Sequence, residues 1–247
     1  MASGEVTTTS RTRRARRAGL GVAIALAGAG AVLAPAGATT PTASALLASA
    51  LHDATSAHWV HERTIMLIKG SVVSMGVNVI GATGGEQKVI TANGGSARLI
   101  ALDRNRRMFI NANEPALTSM FGITSARAAS AANHWLVLTP SDPNYASVDS
   151  ATTLKSDFAQ ISFIGGPVLK GVTTLAGHKV YELFGAVPPS NGVPEGSGML
   201  YVSATGKPLP FAYHVVAGSF ALAVSWTGWG HGVALRAPKG AVAFPTK

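Results

Sequence analysis

His58-Trp-Val-His61-Glu62 places two imidazoles and a carboxylate within five residues. A helical H-E-x-x-H site needs its histidines four apart on one face. Here they are three apart on a segment that reads as a strand, so they point to opposite faces, and no second cluster supplies the three or four ligands that zinc requires. Glu195-Gly-Ser197-Gly lacks the G-x-S-x-G elbow of an α/β hydrolase, and Ser197 reads as a turn residue. Gly81-Ala-Thr-Gly-Gly lacks the Lys-Ser/Thr of a phosphate-binding loop. Carboxylates are few and dispersed: Asp149 reads as a helix N-terminal residue and Asp157 as a solvent-facing helix residue. An unrecognised hydrolase would need a buried Ser or Asp beside His178, His214 or His231. Trp226 and Trp229 flank Gly228 and could form an aromatic platform, with core packing beside a β-bulge as the plainer reading. The expectation is therefore no catalytic residue, no metal and no cofactor.

The sequence has no cysteine among its 247 residues, which removes disulfides, thiolate metal sites, a cysteine nucleophile and a lipid-modified cysteine. The net charge is +9, yet Arg11, Arg13, Arg14, Arg16 and Arg17 form one run with Glu5 as its only acidic neighbour. Setting those five arginines and Glu5 aside leaves 15 Lys+Arg against 10 Asp+Glu, scattered along the chain, so nucleic acid is not an expected partner. Ala18 to Ala38 carries no charge and leads into the small-residue sites Ala36-Gly37-Ala38 and Ala43-Ser44-Ala45. A basic segment, an apolar segment and an A-x-A site are the parts of an export signal. Residues 1–38 are expected to be that signal, cut after Ala38 or Ala45; the alternative is an uncleaved membrane anchor. The remainder would lie outside the cytoplasm, in a periplasm-like envelope space or the medium.

Pro41 and Thr42 open a helical pattern with Leu46, Leu47 and Leu51 on one face. Strand-like runs follow at 58–69, 72–80, 87–92, 98–102 and 108–111, broken by glycine and polar turns. Residues 114–132 turn helical and Ala-rich, 134–138 return to strand, and 150–163 show helical spacing at Leu154, Phe158 and Ile161. The last third reads as strands at 170–175, 178–184, 198–204, 211–217, 220–227 and 233–235. About ten strands and two or three helices make one α+β domain over residues 42–245. Many strands are apolar on both faces, so the sheet needs cover on both sides, and a curled sheet with helices as its lid could enclose an apolar cavity suited to acyl chains.

The N-terminal TASALLASALHDATSA, then Leu102-Asp-Arg-Asn-Arg-Arg-Met-Phe-Ile, Asn133-His-Trp-Leu-Val-Leu, Gly177-His-Lys-Val-Tyr-Glu-Leu and Gly198-Met-Leu-Tyr-Val-Ser-Ala-Thr-Gly-Lys-Pro-Leu-Pro resemble the LppX/LprAFG-like lipoproteins of actinobacteria. That family shares its fold with the LolA-like carriers. The resemblance implies a strongly curved antiparallel half-barrel wrapped around helices and an apolar cavity, in a non-enzymatic protein that binds or carries an acylated lipid or glycolipid. It covers residues 42–245 through loose structural phrases, and departs from the family in lacking the lipobox cysteine.

The candidate cavity residues are the apolar strand positions Met66, Ile68, Val77, Val79, Leu136, Tyr181, Leu183, Tyr201, Phe220, Leu222, Val224 and Trp226. They would act together, by removing acyl surface from water. Leu222→Arg or Val224→Asp is expected to weaken lipid loading without unfolding the domain. The expected partners are the lipid, a membrane surface and an envelope protein; the alternative role is an envelope sensor or protein-interaction module of the same fold.

Overall fold

Thr42 takes extended backbone and its hydroxyl accepts the Ala45 N–H at 3.2 Å, which starts α1 (Ala43–Thr55) and turns Leu46, Ala50 and Ala54 into the core. In the computed structural model the described residues are 40–102, 106–146, 152–189 and 193–245, and all belong to one compact unit. The expected export signal at 1–38 and Asp149 lie outside them.

After α1 come β1 (Trp59–Ile68), β2 (Ser71–Gly81), β3 (Gly84–Thr91), β4 (Ser96–Leu102) and β5 (Arg107–Ala112), each pairing antiparallel with the next. Asn113 then caps α2 (Glu114–Phe121) by accepting the Ala116 N–H at 3.1 Å. The left-handed Gly122 ends α2 and leads to α3 (Ser125–Ala131) and β6 (Trp135–Leu138). Thr153 and Ser156 form a reciprocal cap at the start of α4 (Leu154–Phe158). A second meander follows: β7 (Ile164–Leu175), β8 (His178–Val187), β9 (Gly196–Ser203), β10 (Pro210–Ala217) and β11 (Phe220–Thr227). The short β12 (Val242–Ala243) comes last.

These strands form one curved, open sheet in the order β12-β6-β5-β4-β3-β2-β1-β11-β10-β9-β8-β7. The meanders meet where β1 pairs antiparallel with β11; among the described strands β12 is the one that pairs parallel, with β6. One face carries the helices, in two separate cores. The first gathers Leu46, Ala50 and Ala54 of α1 and Leu154 and Phe158 of α4 onto Val60, Leu183, Leu200, Val224 and Trp226. The second packs Leu117 and Phe121 of α2 and Ala128 of α3 onto Leu99, Met108, Ile110, Leu136 and Leu138, with Phe244 against Phe121.

Several elements differ from the sequence reading: β7, expected at 170–175, begins at Ile164, and Ser197, read as a turn residue, lies within β9, paired to Ala186 and Val216. Of the helix expected over 150–163, the described residues form only Leu154–Phe158, with Ala159 at its C-terminal cap, and the register of β7 shifts across Gly165-Gly166-Pro167. The strand expected at 233–235 is irregular, and the edge strand falls at Val242–Ala243. The connection leaves β11 against Trp59, whose indole lies so close to Gly232 that a Cβ there would overlap it.

Candidate functional site

α1 and α4 do not close on each other. A cleft of about 520 Å³ opens between them, lined by Leu51, His52 and Thr55 of α1 and by Lys155, Phe158 and Ala159 at α4. Its floor is aromatic: the Phe158 ring lies 5.2 Å from Trp226 and 5.7 Å from Trp229, centroid to centroid. His52 and Lys155 place an imidazole and an ammonium beside these apolar walls. An apolar slot edged by an ammonium and an imidazole suits an amphiphile with a long hydrocarbon part and a polar or anionic head.

The expected cavity residues fall into three groups by ladder register. Met66, Ile68, Phe220, Leu222, Val224 and Trp226 share the helix-bearing face of β1 and β11, with Met66 opposite Leu222 and Ile68 opposite Phe220. Leu183 and Tyr181 join the same core from β8, and Leu136 belongs to the second core under α2 and α3. Val77, Val79 and Tyr201 lie on the opposite face, because their strand neighbours Asn78, Ile80 and Leu200 are the buried ones. None of the twelve lines the α1–α4 cleft, although Trp226 supports its floor through Phe158. Toward the β1–β2 and β10–β11 turns the helix-bearing face is uncovered: Ile68 is 44% exposed, with Met66, Phe220 and Leu222 half-buried beside it.

Beneath α4 lies a polar cluster that the sequence reading missed. Glu62 is buried on the helix-bearing side of β1 and accepts hydrogen bonds from Asn78 Nδ2, from Thr64 Oγ1 at 3.0 Å and from Trp226 Nε1 at 3.1 Å. Asp157, expected to face solvent, instead turns its carboxyl inward, leaving Oδ2 buried without a partner. Burial first, and then the adjacent Glu62 charge, push the Asp157 carboxyl well above its ordinary range. One signal was available: Glu62 sits between Val60 and Thr64 in a period-2 pattern that ends in Met66, which places it on the inward face.

No protein-family model and no curated protein sequence matches the chain. Solved structures do. LprF from Mycobacterium bovis superposes with a TM-score of 0.50 at 12% identity, covering 80% of this chain and 97% of that one. The Mycobacterium tuberculosis lipoprotein LppX superposes with a TM-score of 0.50 at 11% identity, covering 78% and 98%. The fold is that of LppX and LprF.

On this LppX-like frame the remaining candidate residues are dispersed. His178 packs its ring 5.1 Å from Phe211, and His214 stacks edge-on to Tyr201 at 5.4 Å, both on aromatic neighbours. Burial lowers the pKa of His214. His61 Nε2–H donates to the backbone carbonyl of His231 at 3.0 Å, so this pair fastens the chain that leaves β11 to β1. Trp229 packs against Phe158 from behind the cleft wall, as Trp226 does. Within the first core, burial pushes the Tyr213 hydroxyl up to about 12 and leaves it without a hydrogen-bond partner.

Proposed function

We propose that this chain is an exported cell-envelope protein that holds an acylated lipid or glycolipid non-catalytically and carries it through the envelope. The observation that carries this reading is the α1–α4 cleft, apolar along Leu51 and Phe158 and edged by His52 and Lys155. The uncovered strip of Met66, Ile68, Phe220 and Leu222 offers further apolar surface on the same side of the sheet. Each Å² of acyl surface withdrawn from water contributes roughly 25 cal/mol, so a chain laid along these walls is held without any directional bond. The LppX-like fold supports the reading at the level of architecture. Among the described residues no helix is long and apolar enough to cross a membrane.

The test is native mass spectrometry with lipid extraction, on the full chain expressed in an actinobacterial host and purified without detergent. Near-stoichiometric acylated lipid is expected with the wild type and reduced lipid with Leu51→Glu, which puts a carboxylate into the wall of the cleft. Wild-type protein that arrives lipid-free and takes up no added lipid would sink the proposal.

A further inference from the structure

The sheet face turned away from the helices carries an ordered surface of its own. Its transverse rows follow from the ladders. In one, Arg63 of β1 stands opposite Val77 of β2, Val77 opposite Lys88 of β3, and Lys88 opposite Arg98 of β4. In the adjacent row, nearer the hairpin turns, Ala223 of β11, Ile65, Met75 and Ile90 stand side by side. Val77 is 58% and Ile90 54% exposed, and Met75, Val72 and Val216 are exposed as well. Apolar residues this open on neighbouring strands form a patch that folding leaves in water.

The charges around the patch are mostly cationic. Arg63 and Lys88 are exposed, Lys69 stands at the β1–β2 turn, and Arg98 lies over the Trp135 ring at 5.7 Å. Glu86 is the one carboxylate that β1 to β4 present on this face, since Glu62 points to the other side. It is engaged by Arg98, whose Nε and Nη2 donate to it at 2.9 and 3.1 Å, and lies 3.7 Å from Lys88. Three strand cations and one at the turn therefore stand against a single acid.

We infer that this face docks on an anionic lipid bilayer. Met75, Val77 and Ile90 enter the headgroup boundary, and Arg63, Lys69 and Lys88 meet lipid phosphates. An apolar patch flanked by cations is the chemistry of interfacial binding, and each lysine or arginine at an anionic surface strengthens it about fivefold. The inference does not depend on the cargo reading: it concerns the opposite face of the sheet, and an empty α1–α4 cleft would leave it intact.

Because the chain has no cysteine, Met75→Cys can carry a single environment-sensitive fluorophore on the full chain. The probe is vesicles of phosphatidylcholine with phosphatidylglycerol, compared with phosphatidylcholine alone, and the control label sits at Lys207→Cys in the exposed β9–β10 turn. The expected result is a blue shift at position 75 on the anionic vesicles, absent at 207. It should weaken about fivefold in apparent affinity with each of Arg63→Gln and Lys88→Gln, and fall with added salt. No shift at 75, an equal shift on both kinds of vesicle, or equal shifts at 75 and 207 would overturn the inference. A shift at 75 that follows protein concentration without vesicles would overturn it in favour of contact between copies of the chain.

Discussion

Trp226 on β11 and Glu62 on β1 stand directly opposite each other in the ladder, and the indole N–H donates to the carboxylate at 3.1 Å. These are the two strands on which the meanders meet, so a hydrogen bond to a charged group sits at the seam of the sheet. Phe158 covers it from α4, its ring 5.2 Å from the indole.

Trp226→Phe keeps the ring packing on Phe158 and removes the donor. The expected loss is about 1.5–3 kcal/mol, the range for a hydrogen bond to a charged partner, read from the urea midpoint. In a Glu62→Leu background the same substitution should cost much less, because no acceptor remains at position 62. Equal losses in the two backgrounds would show that the bond contributes nothing of its own.

Asp157 makes stability depend on pH in a fixed direction. Its folded carboxyl titrates above the ordinary 3.8, so the folded state keeps a proton that the unfolded state gives up. The associated stability is fully present below pH 3.8 and is lost as pH rises through the elevated folded value. Asp157→Asn removes the titration while retaining the shape. Urea midpoints taken across that window should decline with rising pH in the wild type more steeply than in the variant; parallel profiles would contradict the assignment.

The structure separates two substitutions that the sequence treats alike. Val224 is buried opposite Tyr213 and Thr64, whereas Leu222 is half-buried at the uncovered end of the strip. Val224→Asp would place an unpaired carboxylate in the first core, at a cost of about 3–5 kcal/mol. It is expected to unfold the domain by circular dichroism, in contrast to the sequence-based expectation. Leu222→Arg can extend its head toward water and should leave the folded signal intact while lowering lipid content.

Ala45 lies in the first turn of α1 and donates its N–H to Thr42 Oγ1. A cut after Ala45 would remove the cap and the first helical residues; a cut after Ala38 would spare them. A chain cut at one of these two sites is therefore expected to begin at Thr39 by intact mass, and Thr42→Ala to cost about 1 kcal/mol of stability.

Much of this architecture is legible in the residues. Leu46 and Leu51 behind Thr42 mark α1, and the glycine and polar turns delimit the meander from β1 to β5 within a few positions. The alternation in β11 also sorts Phe220, Leu222, Val224 and Trp226 onto one face correctly. The inward face of β2 reads wrongly for a physical reason. It carries Gly76 and Asn78, so Val77 and Val79 look like the buried set until Glu62 supplies the amide with a partner across the strand pair. The same long-range pairing hides Asp157, whose neighbour in space is 95 positions away in the chain, from 62 to 157. The cleft is equally invisible in sequence, since its walls come from two helices separated by the whole first meander. β12 escapes notice because two residues carry no periodicity; only the exposed backbone of β6 gives them a place.

That short strand bears on the order of events in synthesis. β6 is translated with one edge paired to β5, and the partner for its other edge, Val242–Ala243, emerges only after every other strand has been made. Until then a row of β6 amides and carbonyls stands open next to Leu136 and Leu138, a template for the strand of another molecule. A ribosome that stalls between β11 and β12 would release a chain whose two meanders can pair but whose sheet is unsealed on that side. For such a product the hazard is association edge to edge, with the first core able to form and the second left without Phe244 against Phe121.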